Sequence, residues 1–162
     1  MSASATITQF PTPTDLTSSM PTGLRVHDPI NDAKTAKKVL LLEDDPEFKE
    51  IMGDFLRESG YEVVAVVNGV EGVHQVLASD FEVILCDMMM PTLPGDMFFR
   101  AVERMRPHLC DRFVFMTGHR GNKKVNDFIS SVSGTILTKP FQVDDLLEMI
   151  AFVRVRTLLL AA

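Results

Sequence analysis

Four short apolar runs in this chain each lead into polar residues that can do chemistry. Val39-Leu40-Leu41-Leu42 runs into Glu43-Asp44-Asp45, and Val83-Ile84-Leu85-Cys86 runs into Asp87. Phe113-Val114-Phe115-Met116 runs into Thr117, and Ile136-Leu137-Thr138 runs into Lys139-Pro140-Phe141. In an open parallel sheet, ligands bind outside the carboxyl ends of the strands. If these runs are adjacent parallel strands, Asp44, Asp45, Asp87, Thr117 and Lys139 meet at one point. Three carboxylates so placed repel one another. One pair about 4 Å apart costs on the order of 4 kcal/mol at an effective dielectric of about 20. The simplest compensation is a hard divalent cation such as Mg²⁺, which favours carboxylate and carbonyl oxygens alongside waters and phosphate oxygens. A carboxylate is also a competent nucleophile toward phosphorus. Phosphoryl transfer needs the equatorial oxygens neutralised. Mg²⁺, the Lys139 ammonium and the Thr117 hydroxyl could take one oxygen each.

The elements that must position these groups follow from periodicity. Asp45-Pro46 reads as a helix cap followed by proline at the first helical position. Phe48, Ile51, Met52, Phe55 and Leu56 then recur on one helical face, and Gly60 closes the helix. Residues 61–67 form a valine-rich second strand. Asn68 can cap a second helix whose apolar positions are Val70, Val73 and Leu77, with His74 solvated. A third helix starts at Pro94 and stops before Pro107. A short fourth helix covers residues 122–132, and a fifth starts near Val143 and buries Leu146, Leu147, Ile150 and Val153. Alternation of this kind predicts an α/β fold: a doubly wound three-layer sandwich with a five-stranded parallel sheet and five helices. In the order 2-1-3-4-5 the topological switch point lies between strands one and three. That brings Asp44 and Asp45 beside Asp87.

Composition narrows the function. The chain has 162 residues and a formal net charge of -6, with a pI near 5.1. That balance argues against a nucleic-acid footprint and against an anionic membrane surface. Cys86 and Cys110 make no disulfide framework. No apolar run reaches the roughly 18 residues of a membrane span, and no secretory leader pattern is present. Residues 1–36 are rich in Ser, Thr and Pro without periodicity. They cannot bury enough to offset ordering entropy and are expected to be a disordered tail, dispensable for folding. The folded domain is expected over residues 37–157, with 158–162 as a C-terminal tail.

Taken in order and spacing, the motifs resemble the receiver domain of two-component response regulators. The resemblance rests on Leu42-Glu43-Asp44-Asp45-Pro46, Leu85-Cys86-Asp87-Met88-Met89-Met90-Pro91, Met116-Thr117-Gly118 and Thr138-Lys139-Pro140-Phe141. It implies that Asp87 accepts a phosphoryl group from the phosphohistidine of a histidine kinase or histidine phosphotransfer protein. It implies that Asp44 and Asp45 hold Mg²⁺, completed by Asp87 and the backbone carbonyl of Met89. It makes Thr117 and Lys139 phosphoryl contacts and puts a cis peptide before Pro140. It further implies a switch that couples the threonine to an aromatic residue three positions before the lysine. The expected output face is the surface of helix four, strand five and helix five, where a downstream protein could bind. Here Ile136 takes the aromatic's place, and His119 stands two residues after the threonine. A muted switch at Ile136 is therefore expected. The signal should travel through residues 118–124, where Gly118 and Gly121 permit movement and His119 can meet the phosphoryl group.

The resulting expectation is a cytoplasmic single-domain regulator that signals by protein contacts. It would catalyse only its own phosphorylation and dephosphorylation. A second reading within the family is the C-terminal receiver of a hybrid histidine kinase, with the Ser/Thr/Pro stretch as linker. A reading from another class is a haloacid-dehalogenase-type phosphatase, which also sets Asp, Mg²⁺, Ser/Thr and Lys on an α/β sheet. Those enzymes need a second Asp two residues after the nucleophile as acid/base. Met89 stands there and can transfer no proton.

Overall fold

The computed structural model describes residues 37–162, apart from 119, 120 and 133. The expected tail at residues 1–36 and the candidate His119 lie outside the described residues. Five strands run β1 Lys38–Leu42, β2 Glu62–Val66, β3 Val83–Asp87, β4 Phe113–Thr117 and β5 Thr135–Thr138. They pair in parallel in the order β2-β1-β3-β4-β5, which is the expected doubly wound sheet. The helices are α1 Pro46–Glu58, α2 Gly69–Ala78, α3 Gly95–Met105, α4 Lys123–Ser131 and α5 Val143–Ala161. A short 3-10 helix, Pro107–Arg112, is added between α3 and β4. Pro107 thus stops α3 and opens this turn.

Strand alternation divides the core into two layers. Leu40, Leu42, Ile84, Cys86, Phe113 and Phe115 face one way and meet Val76, Phe98, Phe99, Val102, Val125 and Ile129 of α2, α3 and α4. Val39, Leu41, Val83, Leu85, Val114 and Met116 face the other way and meet Met52, Leu56, Leu146, Ile150 and Val153 of α1 and α5. Every residue of β3 and β4 is buried, as expected of central parallel strands covered on both faces. Phe98, Phe113 and Phe115 are each at most 1% exposed, and burial of a side chain this size is worth about 1.5–3 kcal/mol. Phe99 meets Phe113 edge-on with centroids 5.0 Å apart, and meets Phe128 of α4 edge-on at 5.6 Å.

The helix starts are built as their sequences suggest. Asp45 Oδ1 accepts from Phe48 N at 2.9 Å, with Pro46 at the first helical position. Asn68 Oδ1 accepts from Glu71 N at 2.9 Å. Gly60, just past α1, has φ +88°, a conformation that glycine takes without strain.

Three local expectations differ from the structure. In α2 the inner face is Gly69, Gly72 and Val76, while Val70 and Leu77 are 43% and 53% exposed. The cause is close approach: a Cβ on Gly72 would stand 2.6 Å from Leu42 Cδ2 and 2.9 Å from Phe98 Cε2. In α1, Ile51 points to solvent, and Met52, Gly53 and Leu56 are buried. At the other end of the chain, residues 158–161 continue α5 rather than forming a tail. Leucine and alanine are strong helix formers, and the helix stays intact past its last buried residue, Val153.

Candidate functional site

The carboxyl ends of β1, β3, β4 and β5 bring the candidate groups together. Leu42 stands in register with Cys86, so Glu43, which follows β1, and Asp87, the last residue of β3, sit side by side. Asp87 is in register with Met116, and Thr117 with Thr138. Lys139 N donates to Thr117 O at 2.8 Å, which ties the β5 end to the β4 end. The Lys139–Pro140 peptide is cis.

Lys139 is the hub. Its Nζ donates to Asp87 Oδ2 at 2.8 Å and to Glu43 Oε2 at 2.6 Å. It also lies 4.7 Å from the centroid of the Phe48 ring, a contact that favours a cation. Asp87 Oδ1 accepts from Met89 N at 2.9 Å. The carboxylate is therefore held at both oxygens and cannot rotate freely. Thr117 is buried at the end of β4.

The acidic cluster differs from the expectation. Glu43, Asp44 and Asp87 each offer a carboxylate oxygen, and these oxygens lie within 4.8 Å of one another. Asp45 does not join them, because its carboxylate is turned onto the first turn of α1 as the cap. The structure thus groups Glu43 and Asp44 with Asp87, where the sequence had placed Asp44 and Asp45. Glu43 is only 1% exposed, and its Oε1 accepts from Asp45 N at 3.2 Å. Strand counting could have found it: the last apolar residue before Glu43 pairs with the last apolar residue before Asp87.

Electrostatics favours a cation here. Burial raises the Glu43 pKa above its ordinary 4.5, and the Asp87 charge raises it further, against the bond from Lys139. Glu43 therefore contributes stability that is full below pH 4.5 and is lost as pH rises through its higher folded-state value. Burial alone would lower the Lys139 pKa, but its bonds to Asp87 and Glu43 outweigh that and raise it above its ordinary 10.5. The ammonium therefore stays charged, and its stabilisation is lost only as pH rises through that raised value. One ammonium against three carboxylates leaves the cluster net negative. The donor set of carboxylates alone suits a hard divalent cation. A cleft of about 410 Å³ lined by Glu43, Asp45, Phe48, Lys139, Pro140 and Phe141 opens beside it.

The loop after Asp87 is packed tightly underneath. A Cβ on Gly95 would stand 2.7 Å from Asp87 O and 3.0 Å from Met88 Cα. Those are backbone atoms and cannot move aside alone. Gly95→Ala is expected to destabilise the chain by about 1–3 kcal/mol and to displace the Met89 amide from Asp87. Urea unfolding, with the Met89 amide resonance as the local probe, checks both effects. Thr92 in the same loop has φ 69°, an uncommon conformation for a β-branched residue.

Of the other candidates, Ile136 is placed on β5 and is 41% exposed. The Met89 side chain is 49% exposed at the site's edge.

Comparison with known proteins agrees with this geometry. The model for the response regulator receiver domain matches residues 39–151. The response regulator protein FleR of Pseudomonas aeruginosa is 32% identical over 117 residues, covering 72% of this chain but 24% of FleR. The response regulator receiver protein CpdR of Brucella abortus is 28% identical over 114 residues, covering 70% of this chain and 93% of CpdR. The chain thus spans about a quarter of one relative and nearly all of the other. The structure of the response regulator TrrA of Thermotoga maritima in complex with Mg²⁺ and BeF superimposes with a TM-score of 0.63 at 22% identity, covering 72% of this chain and 98% of that one. The family model matches well over half of the chain, and the sheet order and clustered site residues agree with it: the chain belongs to the response regulator receiver domain family.

Proposed function

We propose that this receiver accepts a phosphoryl group on Asp87 from a phosphohistidine, in a Mg²⁺-dependent transfer, and signals by protein contacts. The observation that carries the reading is the fixed contact of Lys139 with Asp87 within the Glu43, Asp44 and Asp87 cluster. An Asp87 carboxylate oxygen attacks phosphorus, forming a P–O bond as the P–N bond of the donor breaks. The imidazole leaves with the electron pair and takes up a proton. Lys139 already contacts the reacting carboxylate and can move one N–H to an incoming phosphoryl oxygen, and Thr117 offers a hydroxyl. Mg²⁺ held by Glu43, Asp44, Asp87 and the Met89 carbonyl would neutralise phosphoryl charge as it develops. The solved TrrA complex carries Mg²⁺ and BeF, and the same pair serves as the probe here.

The near-complete coverage of CpdR supports a single-domain regulator. The partial coverage of FleR supports the alternative, a receiver within a longer protein such as a hybrid kinase. The partners are a histidine kinase or histidine phosphotransfer protein, and the output face is the surface of α4, β5 and α5, where Ile136 is exposed. No described helix is long and apolar enough to cross a membrane. The chain is read as no enzyme toward other substrates: Met89 stands where a phosphatase of the haloacid-dehalogenase type would need an acid/base. Titration with Mg²⁺ and beryllofluoride, followed by amide NMR, tests the proposal. Saturable shifts at residues 43–44, 87–89, 117–118 and 139 are expected. No response there would leave the chain a receiver fold without phosphoacceptor function. Shifts confined to Ile136 and absent from residues 118–124 would refute the expected signal route.

A further inference from the structure

The end of the sheet away from Asp87 holds a cavity, lined in part by charged side chains, that the phosphoryl chemistry does not use. Glu82 immediately precedes β3 and Arg112 immediately precedes β4, so both lie at the amino ends of the central strands. Helix α5 passes beneath them and adds Arg154, Thr157 and Leu158. These five residues line a cavity of about 210 Å³.

The polar groups in it are only partly matched. Arg112 is anchored by Nη1, which donates to Phe81 O at 2.6 Å. Its Nε is buried without a hydrogen-bond partner among the described residues. Arg154 Nε stands 2.7 Å from Glu82 Oε2, yet that oxygen gains no aligned hydrogen bond from any described residue. The Arg154 and Glu82 side chains are 20% and 31% exposed, so the pair is largely shielded from solvent. Glu82 thus balances Arg154, while Arg112 has no carboxylate within ion-pair distance among the described residues. Asp80, which feels its charge, is already held by Arg106 and His108, so positive charge is in surplus in the recess. Buried charges are normally paired, and a buried donor without a partner costs about 1–3 kcal/mol. Thr157 Oγ1 donates to Val153 O at 2.7 Å, so its proton is already committed. Leu158 supplies an apolar wall.

We propose that this cavity binds a small oxyanion of the carboxylate or phosphate class through Arg112 and Arg154. Guanidinium groups match the geometry of such anions and are weakly hydrated, so they bind them in shielded sites at low desolvation cost. The volume falls below the roughly 300–1,000 Å³ of pockets that take drug-sized ligands, so the ligand is a phosphate-sized ion or a short-chain acid laid against Leu158. Glu82 already balances one guanidinium, so the affinity is modest and rises when that carboxylate is removed. A bound anion ties α5 to the amino ends of β3 and β4. It acts independently of Asp87, at the opposite end of the same strand.

The test uses the full chain with a chelator and no added divalent cation, so that the carboxylates at the other end repel phosphate. Inorganic phosphate is titrated at constant ionic strength while the arginine Nε–H resonances are followed by NMR. The Arg112 and Arg154 signals are expected to shift saturably. R112Q is expected to weaken binding by about tenfold, equivalent to about 1.4 kcal/mol. E82Q is expected to tighten it at least roughly threefold, by removing the competing carboxylate. The two substitutions act in opposite directions, so a general loss of folding cannot imitate the pattern. Shifts that grow linearly without saturation overturn the proposal. So do saturable shifts centred on Lys139, or an E82Q chain that binds phosphate more weakly than the parent.

Discussion

Replacing Lys139 with methionine is expected to lower the stability of the cation-free chain by about 2 kcal/mol. Removing one partner of a fully buried ion pair costs about 3–5 kcal/mol. Lys139 is 24% exposed on its side chain, so solvent screening reduces the figure. Methionine keeps much of the apolar stem against Phe48, so most of the loss is electrostatic. The Asp87 and Glu43 carboxylates then face each other without the ammonium that bridges them at 2.8 and 2.6 Å. Two rescues distinguish this account from a packing defect. Added Mg²⁺ should restore most of the stability, and so should a second substitution, Glu43→Gln. Phosphorylation by a small-molecule donor should fall by about two orders of magnitude, as when one oxyanion donor is removed from an active site. Urea unfolding of the single and double variants, with and without Mg²⁺, reads the first effect. A loss that neither rescue reverses would place the role of Lys139 in packing.

Glu43→Gln and Asp45→Asn should behave oppositely. Glu43 belongs to the acidic cluster, whereas Asp45 caps α1. Glu43→Gln is expected to weaken Mg²⁺ binding by about tenfold or more, about 1.4 kcal/mol. It should also stabilise the cation-free chain at neutral pH, because it removes a buried charge. Ionised Glu43 opposes folding, and its contribution is lost as pH rises above its ordinary 4.5 toward its higher folded-state value. The decline in stability over that window should therefore flatten in Glu43→Gln. Asp45→Asn should leave Mg²⁺ affinity within about threefold and keep the cap, since asparagine caps as well as aspartate. Calorimetric Mg²⁺ titrations of both variants decide the matter. A larger loss in Asp45→Asn would restore Asp45 to the ligand set.

The strands and the site's overall position were legible in the sequence for one physical reason. Parallel strands buried on both faces must be continuous apolar runs, and the polar residue that ends each run is forced to the same edge. That logic located Asp87, Thr117 and Lys139. It could not choose among Glu43, Asp44 and Asp45, because three successive acids differ only in register and backbone direction. Asp45-Pro46 already read as a helix cap, and that role uses the Asp45 carboxylate. Helix faces were less legible. Val70 and Leu77 carry the hydrophobic signal of α2, but it is Gly72, which carries none, that lies close against Leu42 of β1. Ile51 misled in the same way, since Gly53 takes an inner position on α1. The cavity at the amino ends of β3 and β4 left no motif, because Glu82, Arg112 and Arg154 are distant in sequence and meet only through the fold.

The most direct test of the central claim is the intact mass of the chain after incubation with acetyl phosphate, followed by peptide mapping of the modified residue. With Mg²⁺ the chain should gain the mass of one phosphoryl group, located on Asp87. The gain should vanish when Mg²⁺ is chelated and be absent from Asp87→Asn. Undiminished modification of Asp87→Asn, or a phosphoryl group mapped to any other residue, would contradict the account.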